Sequence, residues 1–232
     1  RSYTKINYHR NELSMKRKIF IPTALGIFFM SLISCKKEQI LTEKSEDNLT
    51  DTASVEHLAI DTATSAIEWK GFKVFKTDNM SHFGTLKFLE GEIKFKDNKV
   101  KGGVFSANMK TLKNTDLITD EEGKAQLEAH LKSDDFFAVE KFSTATYEIT
   151  KLTPTEGGDY NTILEGKMTI KGITKPVSLK ANIIIDESSV SIYSEPTEIN
   201  RKDFGVSFQS PAKDQIIKDV MEIQIAIKAP KK

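Results

Sequence analysis

The chain has 232 residues, with 34 lysines and arginines against 33 aspartates and glutamates and a formal net charge of +1. Nucleic acid is not expected as a partner, because the chain without its first 34 residues is mildly acidic and nucleic-acid binding requires a clustered basic surface. Cys35 is the only cysteine, which rules out an internal disulfide and a multi-cysteine metal site. The stability of the chain must therefore come from an apolar core.

The first 34 residues carry the features of an export signal. Residues 1–14 precede Met15 and are treated as an upstream extension. From Met15, the basic run Lys16–Lys18 leads into the largely apolar residues 19–33 and the small residue Ser34. This order is typical of a secretory signal peptide, and the apolar run is shorter than the ~20 residues that span a bilayer. Residues 15–34 are therefore predicted to be a signal peptide.

The sequence Leu32-Ile33-Ser34-Cys35 resembles a bacterial lipobox. In that interpretation Cys35 is the lipidation site, the peptide is cleaved before it, and several acyl chains anchor the protein stably to a membrane. Lys36, rather than Asp, follows the cysteine and weakly favours the outer membrane, so we expect an envelope lipoprotein on its periplasmic or surface face. The alternative is a buried structural cysteine that follows an apolar stretch.

Residues 35–57 are predicted to be a flexible tether to a folded domain at residues 58–230. The tether is rich in Lys, Glu, Asp, Ser and Thr and cannot bury enough apolar surface to offset the entropy of ordering. Without residues 1–34, 28 lysines and arginines face 32 aspartates and glutamates, so the mature chain is mildly acidic.

From residue 58 onward, short alternating apolar and polar runs predict an all-β domain. The predicted strands are residues 65–70, 86–95, 100–109, 145–152, 162–170, 177–185, 190–198 and 220–228, with a bulge or bend at Gly91. Turns are predicted at Asp97-Asn98, residues 157–159 and residues 186–189. One helix is predicted from Asp120 to Leu131, with acidic residues in its first turn. Closing eight antiparallel strands into a barrel would remove the exposed sheet edges.

Three segments carry more information than this periodicity. They are His130-Leu-Lys-Ser-Asp-Asp-Phe-Phe-Ala-Val-Glu-Lys-Phe142, Met168-Thr-Ile-Lys-Gly-Ile-Thr-Lys-Pro-Val177 and Arg201-Lys-Asp-Phe-Gly205. In this order and spacing they resemble the YceI-like family of bacterial lipocalin-like proteins, over residues 58–229. The resemblance implies an extended eight-stranded antiparallel lipocalin-like β-barrel with one inserted α-helix, whose interior holds a polyisoprenoid chain. Family members often have a His-Ser pair before the first tryptophan, where this chain has Thr64-Ser65.

An eight-stranded barrel has an interior just wide enough for one slender ligand. We therefore expect an apolar tunnel lined by Ile67, Trp69, Phe72, Phe75, Phe83, Leu86, Phe88, Phe105, Met109, Phe136, Phe137, Met168, Phe204 and Phe208. At its mouth, Arg201, Lys202 and His82 are candidates for contacting a phosphate or quinone oxygen. The alternatives are that many of these apolar residues fill a solid core and that Arg201 and Lys202 pair with acids such as Asp203.

Catalysis and metal binding have weak support in the sequence. His130, Ser133 and Asp134 are the residue types of a catalytic triad, but no Gly-x-Ser-x-Gly elbow is present and sequence adjacency does not give triad geometry. The mature chain has three histidines, none of them in a paired metal-ligand spacing. Lys101-Gly102-Gly103 lacks the Lys-Ser/Thr ending of a phosphate-binding loop.

The sequence therefore predicts a non-enzymatic protein, with no resident cofactor, that binds, sequesters or transports an isoprenoid lipid while tethered to the cell envelope. The ligand would be a polyprenyl phosphate or an isoprenoid quinone, and a homodimer is only a family expectation. The alternative function is an envelope stress-protective or protein-interaction module whose barrel is filled by its own side chains.

Overall fold

The computed structural model describes residues 54–231. The predicted upstream extension, the signal peptide, Cys35 and the tether up to residue 53 lie outside the described residues. Within residues 54–231 there is no helix with the length and apolar character needed to cross a membrane.

The described chain forms ten strands, one α-helix and one 3-10 helix. In chain order they are β1 Glu56–Ala59, β2 Ala66–Phe75, β3 Asp78–Lys96, β4 Lys99–Asn114, α1 Glu121–Lys132, β5 Thr144–Pro154, β6 Thr162–Ile170, β7 Ile173–Ile185, β8 Ser189–Ser194, β9 Thr197–Asn200, the 3-10 helix Arg201–Phe204 and β10 Gln215–Pro230. The eight predicted strands are all present. The four-residue β1 was missed, and β9 was not separated from β8, because the predicted strand 190–198 runs across both. β1 also includes Glu56 and His57, which we had assigned to the tether.

Eight strands close into an antiparallel barrel. The order around the ring is β3, β2, β10, β8, β7, β6, β5 and β4, and the pairing of β3 with β4 completes it. The short β1 adds to β3, and β9 adds to β10 beyond β8. The predicted fold class, an eight-stranded antiparallel barrel with one inserted helix, is confirmed.

The tightest turns follow from local sequence. Asp97 and Asn98 both have φ of 53° and form the two-residue turn between β3 and β4. Lys171 and Gly172, at φ of 52° and 75°, do the same between β6 and β7. Two consecutive residues with positive φ match the right-handed twist of the flanking strands, and Asn, Asp and Gly adopt that conformation at least cost. A bulge or bend was predicted at Gly91. The structure has an irregularity just before it, where the register between β3 and β4 shifts between Phe88 and Glu90.

Helix α1 begins and ends for reasons that the sequence shows. The Asp120 side chain accepts a hydrogen bond from the Gly123 N–H and caps the N-terminus, with Glu121 and Glu122 in the first turn. Lys132 lies in the last turn, near the negative end of the helix dipole. No residue of α1 is buried, so the helix covers the barrel without entering the core.

Candidate ligand-binding site

The barrel interior divides into a packed half and a hollow half. The packed half lies where β3 ends and β1 begins, and its side chains are almost completely buried. Its members are Leu58, Ile93, Phe95, Leu164, Ala181, Val190, Ile192 and Ala229. The interior is therefore filled by its own side chains at one end only, and any ligand must enter from the other end.

The hollow half contains an apolar cavity that we call the deep chamber, with a volume of about 160 Å³. Side chains from β2, β3, β4, β5, β6, β7 and β10 surround it, and most are aliphatic or aromatic. They include Ile67, Leu86, Phe88, Phe105, Ala107, Met109, Tyr147, Met168, Leu179, Met221, Ile223, Ile225 and Ile227. Such a lining suits an apolar ligand and offers few hydrogen-bond partners.

A second cavity, the outer chamber, has a volume of about 230 Å³ and a more polar wall. It is lined by Trp69, Gly71, Phe72, Lys73, His82, Leu127, His130, Leu131, Phe136, Phe208, Ser210, Gln215 and Ile217. Trp69, Phe72 and Phe136 also line the deep chamber, so the two cavities are neighbours. Together they fall within the roughly 300–1,000 Å³ of small-ligand pockets.

Trp69 lies between the chambers because Gly84 leaves room for its ring. A Cβ at Gly84 would lie 2.8 Å from the indole and 1.8 Å from the Lys113 carbonyl oxygen. The Trp69 indole N–H donates to that same carbonyl at 3.2 Å. Glycine is therefore required at position 84 for Trp69 to lie against the β3–β4 pairing.

An aromatic cluster covers the mouth of the barrel. The His130 ring, on α1, is 5.0 Å from the Phe136 ring and 4.7 Å from the Phe208 ring, and Phe136 and Phe208 are 5.2 Å apart. His130 Nε2 also lies 3.3 Å from the Asp135 carboxylate. These residues come from α1 and from the segments that follow α1 and β9, so the cover depends on three separate parts of the chain.

His130, Ser133 and Asp134, the residue types of a triad, do not have triad geometry. The Ser133 hydroxyl donates to the His130 backbone carbonyl at 2.8 Å, as expected for a serine after a helix. The Asp134 carboxylate pairs with Lys141 at 2.7 Å. Since neither side chain contacts the His130 ring nitrogens, these residues have structural roles.

Arg201 is 3% exposed and its guanidinium is occupied by the protein itself. It donates to the backbone carbonyls of Val206 at 2.6 Å, Lys218 at 3.0 Å and Ile217 at 3.4 Å. It also lies 3.3 Å from the Asp219 carboxylate. Burial lowers the pKa of the guanidinium and the Asp219 charge raises it. Arg201 therefore holds the loop after β9 against β10, although it borders the deep chamber.

Lys202 lies outside both chambers. Its Nζ is 2.9 Å from the second oxygen of Asp219, and this hydrogen bond is the largest of the influences that lower the pKa of Asp219. Arg201 and Lys202 thus share Asp219, which is distant in sequence, rather than the adjacent Asp203. The alternative that Arg201 and Lys202 pair with an acidic residue is correct, but that residue is Asp219 and not Asp203.

His82 has the geometry of a polar contact at the mouth. Its Nδ1 lies 2.8 Å from the Asp116 carboxylate. Burial is the largest single influence and raises the pKa of Asp116, but hydrogen bonds from the Phe83 N–H, His82 and Asn114 together hold it below the ordinary value. The ionised carboxylate can only accept, so Nδ1 must carry the proton. This leaves the accessible Nε2, which has no protein partner within residues 54–231, beside the outer chamber.

Tyr147 closes the deep chamber on the side of β6. Its hydroxyl lies 2.9 Å from the Leu164 carbonyl oxygen and 3.1 Å from that of Val177, and its ring lies against Gly166. Burial, followed by the charge of Glu165, raises the pKa of the Tyr147 hydroxyl. The hydroxyl is therefore neutral at physiological pH and is already used by the barrel wall.

Most of the predicted tunnel residues lie at the chambers. Ten line the deep chamber: Ile67, Trp69, Phe72, Leu86, Phe88, Phe105, Met109, Phe136, Phe137 and Met168. Phe208 lines only the outer chamber, as does His82 among the predicted head-group candidates.

Three predicted lining residues lie elsewhere. Phe83 is 47% exposed on the outer face of β3, because its spacing from Leu86 places the two on opposite faces. Phe75 is 40% exposed at the last position of β2, beyond the mouth. Phe204 is buried in the core on the 3-10 helix and borders neither chamber. The prediction that these three line the tunnel was wrong.

Several site residues were missed. Nothing in the sequence distinguishes Asp116 and Lys73 from the other charged residues; Ile217 lies before the predicted last strand at 220–228, and Met221 lies at its second position. Leu127 and Leu131 carried a readable signal, since their spacing places both on one face of the predicted helix. Only the tertiary position of α1 shows that this face borders the outer chamber.

Sequence comparison agrees with this architecture. The YceI-like domain matches residues 58–229. The chain belongs to the YceI-like family. It is 26% identical to a UPF0312 protein of Shewanella denitrificans, over 70% of this chain and 87% of the relative. It is 28% identical to a UPF0312 protein of Pseudomonas fluorescens, over 62% of this chain and 76% of the relative.

Two solved structures share the YceI-like fold. BcnA of Burkholderia cenocepacia superposes with a TM-score of 0.54 at 18% identity, covering 73% of this chain and 99% of BcnA. A polyisoprenoid binding domain from Saccharophagus degradans, implicated in plant cell wall breakdown, superposes with a TM-score of 0.51 at 12% identity, covering 77% of this chain and all of that domain. At these identities the likeness shows the shared fold.

Proposed function

We propose that the chain binds one isoprenoid lipid, with the apolar tail in the deep chamber and the head group in the outer chamber. The observation that carries this proposal is the change along one barrel axis from packed core to apolar cavity to polar mouth. The solved polyisoprenoid binding domain of the same fold supports the ligand class. The self-filled barrel of the alternative function would lack this hollow half.

The tail alone cannot give selectivity. Burial from water gains about 25 cal/mol per Å² of apolar surface, but the competing site for a prenyl lipid is a bilayer that is also apolar. Transfer from a membrane to the deep chamber is therefore close to neutral. Selection must come from the shape of the chamber and from polar contacts at its mouth.

His82 is the residue we assign to the head group. Asp116 fixes its tautomer, so Nε2 of the neutral ring accepts a hydrogen bond from a hydroxyl, and the protonated ring donates to a carbonyl or phosphate oxygen. Arg201 and Lys202 are engaged with Asp219, which removes them from this role. Lys73 supplies a positive charge beside the same chamber.

We propose that the function is binding and carriage rather than catalysis, and that the protein works at the cell envelope. Lipidation of Cys35 would keep the barrel beside the membrane that contains its ligand, and we propose the outer membrane as the site of anchoring. We also propose that the protein requires no resident cofactor.

Trp69, the only tryptophan of the chain, allows a direct test because it borders both chambers. The full chain in detergent is titrated with an isoprenoid quinone, a polyprenol and a polyprenyl phosphate of equal chain length. We expect the fluorescence of Trp69 to change and to saturate at one ligand per chain. An unchanged spectrum with all three lipids would contradict the proposal.

The head-group assignment has a matched control. Loss of one hydrogen bond worth about 0.5–1.5 kcal/mol predicts that His82→Ala weakens binding roughly 2–13-fold. His57 pairs with Glu92 at 3.0 Å on β1, in an exposed His–carboxylate pair that borders neither chamber. His57→Ala is therefore expected to leave affinity unchanged, and equal effects of the two variants would refute the role of His82.

A further inference from the structure

The sheet extends beyond the point where the barrel closes. Pairing of β3 with β4 starts at Gly84, so residues 78–83 of β3 pair only with β2 within the described chain. Residues 215–217 of β10 likewise pair only with β2. We define the flap as residues 70–83 and 213–218, which project this three-stranded sheet past the mouth.

The flap exposes an unusual share of the apolar surface. Ten large hydrophobic residues are exposed within residues 54–231, and four of them lie on the flap: Phe75, Met80, Phe83 and Ile216. A fifth, Ile118, lies in the loop whose Thr115 N–H donates to the Phe83 carbonyl. Single exposed hydrophobics are ordinary, but several at the rim of an apolar cavity mark an interaction surface.

The charge of the flap is opposite to that of the mature chain. The flap has five lysines, at positions 70, 73, 76, 213 and 218, against Asp78 and Asp214. None of these seven residues forms an ion pair with another residue between 54 and 231. Two lysines lie over aromatic rings, with Lys70 Nζ 5.1 Å from the Phe72 centroid and Lys76 Nζ 5.4 Å from that of Phe75. Both carry their charge at the edge of an apolar surface.

We propose that the flap docks on an anionic lipid bilayer. Phe75, Met80 and Ile216 enter the interface between head groups and acyl chains, and the lysines contact lipid phosphates. The strand register places Phe75 and Met80 on the face of the flap that carries Lys73, and Ile216 on the opposite face, so the flap enters the bilayer with its tip rather than with one face. Its exposed apolar side chains and its five lysines, on an otherwise acidic protein, match this surface in both polarity and charge. A second copy of the chain would bring the same five lysines against each other.

This inference rests on the proposed function and adds to it a route for the ligand. Lys73, His82 and Ile217 belong to the flap and also line the outer chamber. A docked flap would therefore open that chamber directly onto the membrane, so that a prenyl lipid could enter without crossing water.

The chain outside the described residues is long enough to allow docking beside an anchor at Cys35. Glu56 pairs with Phe95, at the end of β3 remote from the flap. The 20 residues between Cys35 and Glu56 reach at most about 66–72 Å. The 19 residues of β3 span about 63 Å. A tether of this length permits the flap to reach the membrane that holds the anchor.

The test uses an environment-sensitive fluorophore on single cysteines in the full chain, with Cys35→Ser as the common background. Met80→Cys and Ile216→Cys report on the flap, and Ile184→Cys on β7, exposed to 51%, is the matched control. Vesicles contain equal parts of phosphatidylglycerol and phosphatidylcholine, or phosphatidylcholine alone. We expect a blue shift and quenching by brominated lipid at 80 and 216 but not at 184, more strongly with anionic vesicles. Lys76→Glu with Lys213→Glu should reduce the shift severalfold.

Other outcomes would overturn the inference. A probe at position 80 that stays in water, while unlabelled protein takes up ligand in detergent, refutes docking and leaves the proposed function intact. Equal shifts at 80 and 184 would show non-specific adsorption. If the probe at position 80 is shielded from water without vesicles, and more strongly at higher protein concentration, the flap is a surface for self-association instead.

Discussion

At the scale of single residues, Arg201 links the loop after β9 to the irregular part of β10. The register between β10 and β2 shifts between Ile217 and Met221, and the ladder is interrupted there. The guanidinium of Arg201 binds the Ile217 and Lys218 carbonyls at this irregularity. Its side chain therefore supplies hydrogen bonds that a neighbouring strand would otherwise provide.

Replacement of Arg201 should strongly destabilise the fold. Arg201→Met removes the guanidinium partner of the buried Val206 carbonyl and of the part-buried Ile217 and Lys218 carbonyls, and we expect the free energy of unfolding to fall by about 2–4 kcal/mol. Lys202→Ala removes a solvent-exposed ion pair with the same aspartate and should cost at most about 1 kcal/mol. Urea denaturation followed by Trp69 fluorescence measures both variants. If the free energy of unfolding of Arg201→Met lies within about 1 kcal/mol of that of the wild type, the structural role of Arg201 is contradicted.

Residue identity alone did not show which phenylalanines face the interior. Leu86 and Phe88 have even spacing and both line the deep chamber, whereas Phe83 is out of phase with them and lies outside. That error was avoidable from alternation. The error at Phe75 has another cause. Phe75 lies beyond the mouth because β4 ends before that point, and β4 is not a neighbour of β2 in the sheet. No local pattern in β2 contains that information.

At the scale of elements, the turn between β7 and β8 depends on one carboxylate. Asp186 accepts hydrogen bonds from the N–H groups and hydroxyls of Ser188 and Ser189. These bonds, with the Ser188 N–H the largest influence, lower the pKa of Asp186 from 3.8 to about 2. Because the folded-state pKa is lower than the unfolded one, this stabilisation is complete above about pH 4 and is lost as the pH falls towards about 2.

Asp186→Asn should remove that part of the acid dependence. We expect a lower thermal midpoint than wild type near neutral pH, and a difference that shrinks as the pH falls from about 4 to about 2. Glu187→Gln, in the same turn, is the control, because the Glu187 carboxylate makes no hydrogen bond within residues 54–231. Calorimetry across this pH range measures the midpoints. A constant difference between wild type and Asp186→Asn would show that Asp186 is not responsible.

Elements with local determinants were predictable from the sequence. The Asp97-Asn98 and Lys171-Gly172 turns, the eight long strands and α1 all follow from turn chemistry, alternation and helix capping. The His82–Asp116 contact was not predictable, because it joins residues 34 positions apart through the loop that follows β4. Its geometry exists only once β3 and β4 have paired.

At the scale of the whole molecule, the division between packed and hollow halves had no sequence signature. Phe88, Phe105 and Met168 border the deep chamber, while Ile93, Phe95 and Leu164 fill the packed half with residues of the same kind. The same residue types therefore line open space in one half and fill the other, so composition alone does not show where space remains.

Two equivalent substitutions test this division. Ala107→Phe places a ring in the deep chamber and should reduce ligand affinity at least tenfold with little loss of stability. Ala181→Phe makes the same change in the packed half, where Ala181 is fully buried, and should lower the free energy of unfolding by about 1–3 kcal/mol or more. Titration by Trp69 fluorescence and urea denaturation give the two quantities. Equal destabilisation by both variants would show that the hollow half is not open space.

The most direct measurement of the central claim is native mass spectrometry with lipid extraction, on the full protein isolated gently from its own membranes. We expect a bound mass that is lost on denaturation and is identified in the extract as one isoprenoid lipid per chain. Protein carrying Ala107→Phe, isolated in the same way, should lack it. A wild-type protein that is free of lipid, and that stays so after incubation with isoprenoid quinones and polyprenyl phosphates, would contradict the account.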